Sequence, residues 1–221
     1  MKRVLVQLAL IAAATLTAHA DPILCDAQTW QFYITNYAST GCLVGDKLFT
    51  NFAITGNVSA GIINVQPQND SNGEGLFISS GGWFAFPGQT KNTTLSYTVS
   101  APGPFISGAY EHMAANIPSG TGSITVDEHI KQGAVDIPGS PLSLAFPAPT
   151  TQGPVAFSTT YTSLNVDTVI AVHSNTPNGQ ATLSQITEQF QQIAAPEPVQ
   201  SVLIGSGFLL LGLVSRKRRN K

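Results

Sequence analysis

Between about Thr29 and Gln192 the chain never sustains a helical stripe long enough to build a helix bundle. Short runs rich in β-branched and aromatic residues recur instead, broken by Gly, Pro, Asn and Asp. They are KLFTNFAITG (47–56), AGIINVQ (60–66), GLFISS (75–80), TTLSYTVS (93–100), GSITVDEHI (122–130), SLNVDTVIAVHS (163–174) and ATLSQITEQF (181–190). Such residues fit a pleated surface, and the breaks between the runs are turn signals. Leu95, Tyr97 and Val99 fall on one face of their run, and Leu48, Phe52 and Ile54 on one face of theirs, the period of two that half-buried strands require. The pattern predicts an all-β fold, specifically an antiparallel β-sandwich of jelly-roll-like kind. Asn178-Gly179, between the last two runs, predicts a hairpin connection.

Charge narrows the partners. Of the ten Lys and Arg, Lys2 and Arg3 open the chain, while Arg216, Lys217, Arg218, Arg219 and Lys221 close it. Residues 21–195 keep only Lys47, Lys91 and Lys131 against eleven carboxylates, a balance of −8. Nucleic acid phosphates demand clustered cations, so an acidic body of this kind argues against a nucleic-acid partner.

The two ends differ from the body. MKRVLVQLALIAAATLTAHA combines a basic start, an apolar stretch and small residues at Ala18 and Ala20. This is the three-part pattern of a secretory signal peptide cleaved after Ala20, giving an expected leader over 1–20 and an exported domain over 21–195. Export makes Cys25 and Cys42, the two cysteines of the chain, an expected disulfide. Closing that loop stabilises by roughly 3 kcal/mol in the chain-entropy model and ties down the start of the domain. At the far end, residues 199–215 hold no charge, with Gln200 the strongly polar member. A helix of that length extends roughly 25 Å against a hydrocarbon core of ~30 Å, enough to span a membrane with little tilt. The basic residues 216–221 then stay on the cytoplasmic side, which leaves the body outside.

Pro196-Glu197-Pro198, followed by the apolar segment 199–215 and by Arg216-Lys217-Arg218-Arg219, resembles the PEP-CTERM sorting signal of Gram-negative bacteria. The resemblance implies recognition of residues 196–221 by an exosortase, cutting near the triplet and passage to the cell surface. Two prolines favour an extended strip carrying one carboxylate, accessible to an enzyme at the membrane face. GCLVGDKLFTNFAITG, with a cysteine upstream, and the terminal SLNVDTVIAV and ATLSQITEQF runs also resemble the β-rich domain of some PEP-CTERM proteins. That resemblance implies export and a β-fold, and it carries no activity.

Chemistry inside the body is sparse. Asp127-Glu128-His129 is the densest ionisable stretch; in a strand Asp127 and His129 share a face opposite Glu128. With Glu111-His112 or His173 it could supply carboxylate and imidazole to an acid–base or metal site, or it could be solvated at a strand end. Asp70, Asn72 and Glu74, with Gly75, match the first half of a calcium loop. The twelfth position is Gly81 in place of the bidentate Glu, so the stretch fits a strand-to-strand turn better, and calcium is the one cofactor left open. There is no nucleophile elbow, phosphate loop or dinucleotide fingerprint, and no catalytic residue is assigned. Asn57, Asn69 and Asn92 stand in N-x-S/T sequons that need not be modified in a bacterium. Trp30, Trp83, Phe84 and Phe86 could either fill a core or form a sugar-stacking platform.

These features predict a non-enzymatic exported envelope or matrix protein, held first in the cytoplasmic membrane and then released to the surface. A carbohydrate-binding module on exopolysaccharide is the alternative, and a secreted hydrolase a more distant one. An exposed coplanar aromatic row would favour the second, and a pocket joining Asp127, His129 and a further ligand the third.

Overall fold

A computed structural model describes residues 23–101, 106–175 and 177–192 of the chain. The expected signal peptide (1–20), the sorting triplet (196–198), the spanning segment (199–215) and the basic tail (216–221) lie outside the described residues. Among the described residues no helix is long and apolar enough to cross a membrane.

The chain begins with β1 (Gln28–Thr29), α1 (Trp30–Asn36), β2 (Cys42–Val44) and β3 (Lys47–Gly56). A 3-10 turn (Ala60–Ile62) then leads into β4 (Ile63–Asp70), β5 (Gly73–Ser80), β6 (Phe84–Ala85) and β7 (Thr90–Ser100). The middle of the chain forms β8 (Ile106–Ser119), β9 (Gly122–Gln132), β10 (Val135–Asp136) and β11 (Leu142–Phe146). It ends in β12 (Thr151–Tyr161), β13 (Ser163–Ser174) and β14 (Gln180–Gln192). All the strand pairs are antiparallel and make two sheets. One runs β1-β4-β5-β14-β8-β12 with β6 on β14, the other β10-β9-β13-β7-β3-β2 with β11 on β9. The β-sandwich expected from the strand pattern is therefore present.

Alternation builds the core. Leu95, Tyr97 and Val99 of β7 all point inward, as do Ile124, Val126 and Ile130 of β9 and Val166, Ile170 and Val172 of β13. Leu76, Ile78, Leu183, Ile186 and Phe190 answer them from the facing sheet. Each such aliphatic side chain contributes about 1.5–3 kcal/mol of burial. The interior is thus a conventional apolar layer over most of its length.

Three local features depart from the sequence expectation. In β3, Asn51 takes a positive φ of 57° and the register with β7 slips between Thr50 and Ala53. The extra residue switches the inward face, so that Phe49 and Phe52 are both buried while Leu48 is only half-buried. Secondly, the Asn178-Gly179 segment is not a hairpin. β13 lies between β7 and β9, whereas β14 lies between β5 and β8 in the other sheet. The connection crosses from sheet to sheet beside the β8–β9 link, held by Ser119 Oγ donating to Asn178 O (2.9 Å) and Asn175 N donating to Thr121 O (2.9 Å). Thirdly, Trp30–Asn36 is a helix of seven residues, too short to show a stripe, capped by Thr29 Oγ1 accepting from Phe32 N at 3.2 Å.

The disulfide explains why so short a helix stays in place. Cys25 and Cys42 are bonded, with Cα atoms 4.8 Å apart, and Cys25 N donates to Leu43 O at 2.9 Å. The loop they close carries α1, whose Trp30 and Tyr33 are fully buried edge-on against Phe52, at centroid distances of 5.5 and 5.0 Å. Tyr33 Oη donates to Asp26 O at 2.7 Å, which satisfies the buried hydroxyl.

Candidate functional site

The outer face of the second sheet carries a shallow polar depression of about 470 Å³, with Asn51, Ser96, Thr98, Lys131, Asn165 and Asp167 in its lining. Strand register lines these residues up, because Asn165 stands opposite both Thr98 and Lys131, and Asp167 opposite both Ser96 and His129. The bulge of β3 aims Asn51 Nδ2 at Thr98 Oγ1 (3.1 Å). Thr98 donates in turn to Asn165 Oδ1 (2.9 Å), and Asn165 Nδ2 donates to Gly133 O (3.0 Å). Lys131 Nζ donates to Asp167 Oδ2 at 2.7 Å. Partial burial works against the charge of Asp167, but hydrogen bonds from Lys131 and Ser96 outweigh it and hold the carboxyl below its ordinary range. Amides, hydroxyls and one ion pair in an open groove can hydrogen-bond a hydroxyl-rich ligand.

A second cluster lies inside. Glu111 on β8 and Glu188 on β14 are direct cross-strand partners, and Glu128 on β9 is the partner of Thr168 on β13. All four side chains are fully buried. Tyr97 Oη donates to Glu188 Oε2 (2.8 Å) and Thr168 Oγ1 to Glu188 Oε1 (2.6 Å), so one carboxyl is served from the facing sheet. Both oxygens of Glu111 and of Glu128 have no hydrogen-bond partner among the described residues. Burial, then the neighbouring carboxylates, pushes Glu111 and Glu128 well above the ordinary carboxyl range. Burial also raises Glu188, partly offset by its two hydroxyl donors, to about 7. The sequence singles out Glu111 and Glu128, but the meeting of both with Glu188 has no signal there, because the pairing of β8 with β14 is a long-range choice.

Of the residues singled out from the sequence, Glu111 and Glu128 meet in this buried layer, while His129 and His173 bond elsewhere. Asp127 and His129 share the outer face of β9 as expected, but His129 Nδ1 sits 3.1 Å from Asp136 Oδ2, while Glu128 points into the core. His173 contacts Thr90 and Asn175, and His112 lies in the other sheet opposite Thr151. Asp70 and Gly73 flank a two-residue turn, Ser71-Asn72, between β4 and β5, with Glu74 one residue further along β5. Asp70 accepts from Gln68, from Asn72 N and from Gln189, and these bonds, against some burial, hold its carboxyl below the ordinary range. Glu74 is drawn away to the buried Lys47, which also meets Asp46 and Gln192. Among the described residues no group of three or more His, Cys, Asp or Glu side chains is arranged to hold a metal. Trp30 and Trp83 are fully buried, and Phe84 and the exposed Phe86 meet edge to face at 72°, so the aromatics make no coplanar row.

Fold and groove together define a two-sheet antiparallel β protein with an open polar face. No family model and no curated protein matches the chain. A solved structure described as TmCBM61 in complex with β-1,4-galactotriose is similar to it over 72% of this chain and 94% of that one, with 13% identity and a TM-score of 0.29.

Proposed function

We propose that the chain is an exported surface or extracellular-matrix protein, non-enzymatic, handled by an exosortase through residues 196–221 after a stay in the cytoplasmic membrane. Its body, which we read as jelly-roll-like because the chain passes repeatedly between the two sheets, is then the cargo. The observation that carries this reading is the Cys25–Cys42 bond at the start of the body, which suits an oxidising compartment. Replacing Pro196, Glu197 and Pro198 by alanine is expected to leave an uncut, membrane-retained protein. Mass spectrometry of wild-type surface material that still ends at Lys221 would overturn the sorting proposal.

One observation favours a second reading, carbohydrate binding. The Asn51–Thr98–Asn165 ladder presents amides and hydroxyls in an open groove, the donor and acceptor set a polysaccharide such as exopolysaccharide would use. The groove uses no stacked aromatic, so its binding would be weak and cumulative along a polymer. A glycan array probed with the full chain, beside an Asn165→Ala and Thr98→Ala double variant, tests it. Equal signals from both proteins would remove the groove from consideration.

A further inference from the structure

The most unusual feature of the molecule is inside it. Three carboxylic acids occupy one layer of the sandwich, and they straddle the boundary between the sheets. Glu111 and Glu188 come from the sheet of β8 and β14, Glu128 from the sheet of β9 and β13, and Thr168 Oγ1 reaches across to Glu188 at 2.6 Å. Among the described residues no positive charge bears on them. The residues paired with them in register are Leu76 on β5, Leu142 on β11 and Gln152 on β12, and Phe49 of β3 packs on Tyr97. The titratable groups that face them are Tyr97 from β7 and one another, with Asp127 acting on Glu111 from the outer face of β9. Lys47, the buried lysine among the described residues, is engaged by Asp46, Glu74 and Gln192. Lys131 faces outward on Asp167.

Ionised carboxylates packed this way would repel each other in a medium of low dielectric, and four of their six oxygens find no donor among the described residues. Protons are the neutralising partner that needs no extra space. We propose that Glu111, Glu128 and Glu188 form a proton-held latch between the two sheets, closed while the acids are neutral and loosened as they ionise. Glu188, with Tyr97 and Thr168 as donors, ionises first; its charge then bears on Glu111 and Glu128, which have no donor waiting.

The direction with pH follows. In the unfolded chain each glutamate loses its proton near 4.5, whereas in the fold Glu188 holds it to about 7 and burial beside other carboxylates raises the other two well above 4.5. Folded protein therefore binds more protons than unfolded protein above that lower value. The latch contributes fully below about pH 4.5 and is lost progressively as pH rises through neutrality.

Thermal unfolding of the full chain in mild detergent, followed by circular dichroism from pH 5 to pH 9, tests this. The midpoint is expected to fall by roughly 5–10 °C across that range. A Glu111→Gln, Glu128→Gln double variant, which keeps the shape but cannot ionise there, is expected to flatten the profile and to outlast the wild type at pH 9. Infrared spectra of the wild type supply a readout that needs no variant. They should show the carbonyl stretch of protonated carboxylic acids persisting at pH 7 in the folded chain and vanishing on unfolding. A flat or rising midpoint, a double variant with the wild-type alkaline loss, or no protonated carboxyl at pH 7 would each overturn the latch. So would a calcium-dependent rise in midpoint, reversed by chelator and absent from the double variant, since the cluster would then hold a cation in place of protons.

Discussion

Asp167 and Thr168 are neighbours on β13, and their opposite numbers on β9 are His129 and Glu128. One register step across this strand pair separates two carboxyls in opposite circumstances. Asp167 faces out, takes a hydrogen bond from Lys131, and is held below its ordinary range; Glu128 faces in, finds no partner, and is pushed well above it. The chemistry of the groups is nearly the same. What differs is the parity of the strand position, which decides whether water or hydrocarbon surrounds the acid. The outer face can afford charge because solvent shares it, and the inner face can keep its acids only in neutral form.

The largest expected effect comes from opening the inner wall. Phe49 is fully buried and packs against Tyr97 and Phe190, at centroid distances of 5.8 and 6.4 Å. Phe49→Ala should cost about 3–5 kcal/mol and lower the thermal midpoint by roughly 10 °C or more. Thr98→Ala on the outer ladder is the control, expected to change stability by less than about 1 kcal/mol. If the two variants lost equal stability, the division into a structural interior and a solvated outer face would fail.

A smaller effect sharpens the interior itself. Tyr97→Phe deletes one of the two donors to Glu188 and leaves an oxygen unpaired, a loss of about 1–3 kcal/mol. It should also carry a signature in pH. Without the hydroxyl the folded-state value of Glu188 moves above about 7, so stability continues to fall over a wider alkaline window. The penalty relative to wild type is then larger at pH 8 than at pH 6, measured by denaturant titration at each. A penalty that shrinks with pH would mean Glu188 does not gain from that bond as a carboxylate.

How much of this was legible beforehand depends on range. The period of two in TTLSYTVS and GSITVDEHI placed Leu95, Tyr97, Val99 and the Asp127/His129 face where they lie, because side-chain parity is a local property. The turn at Ser71-Asn72 and the Cys25–Cys42 pair were equally local. β8 was not visible, since ISGAYEHMAANIPS is rich in small residues and its strand character comes from pairing with β14 and β12. With β8 hidden, Glu111 read as half of a Glu-His pair, and its meeting with Glu188 was beyond reach. The outer ladder depended on the Asn51 bulge, a register slip that only the paired strands reveal. Asn178-Gly179 misled because a favourable turn dipeptide also serves a loop that crosses between sheets.

The smallest effect tests the outer half of the comparison. Lys131 and Asp167 are each about a quarter to a third exposed, 26% and 33%, so their attraction is screened by water and salt. Lys131→Met should cost under about 1 kcal/mol near neutrality, in contrast to anything done to the inner acids. The sign with pH is opposite too. The carboxyl of Asp167 lies below 3.8 in the fold, so what the pair contributes is present above that value and disappears as pH falls through the folded one. Wild type and variant should therefore differ slightly at pH 6 and converge below pH 3.8, and the pH 6 difference should shrink in high salt. A loss of several kcal/mol at pH 6, or one that grows on acidification, would mean that the outer ion pair holds the sheet together as an interior group does.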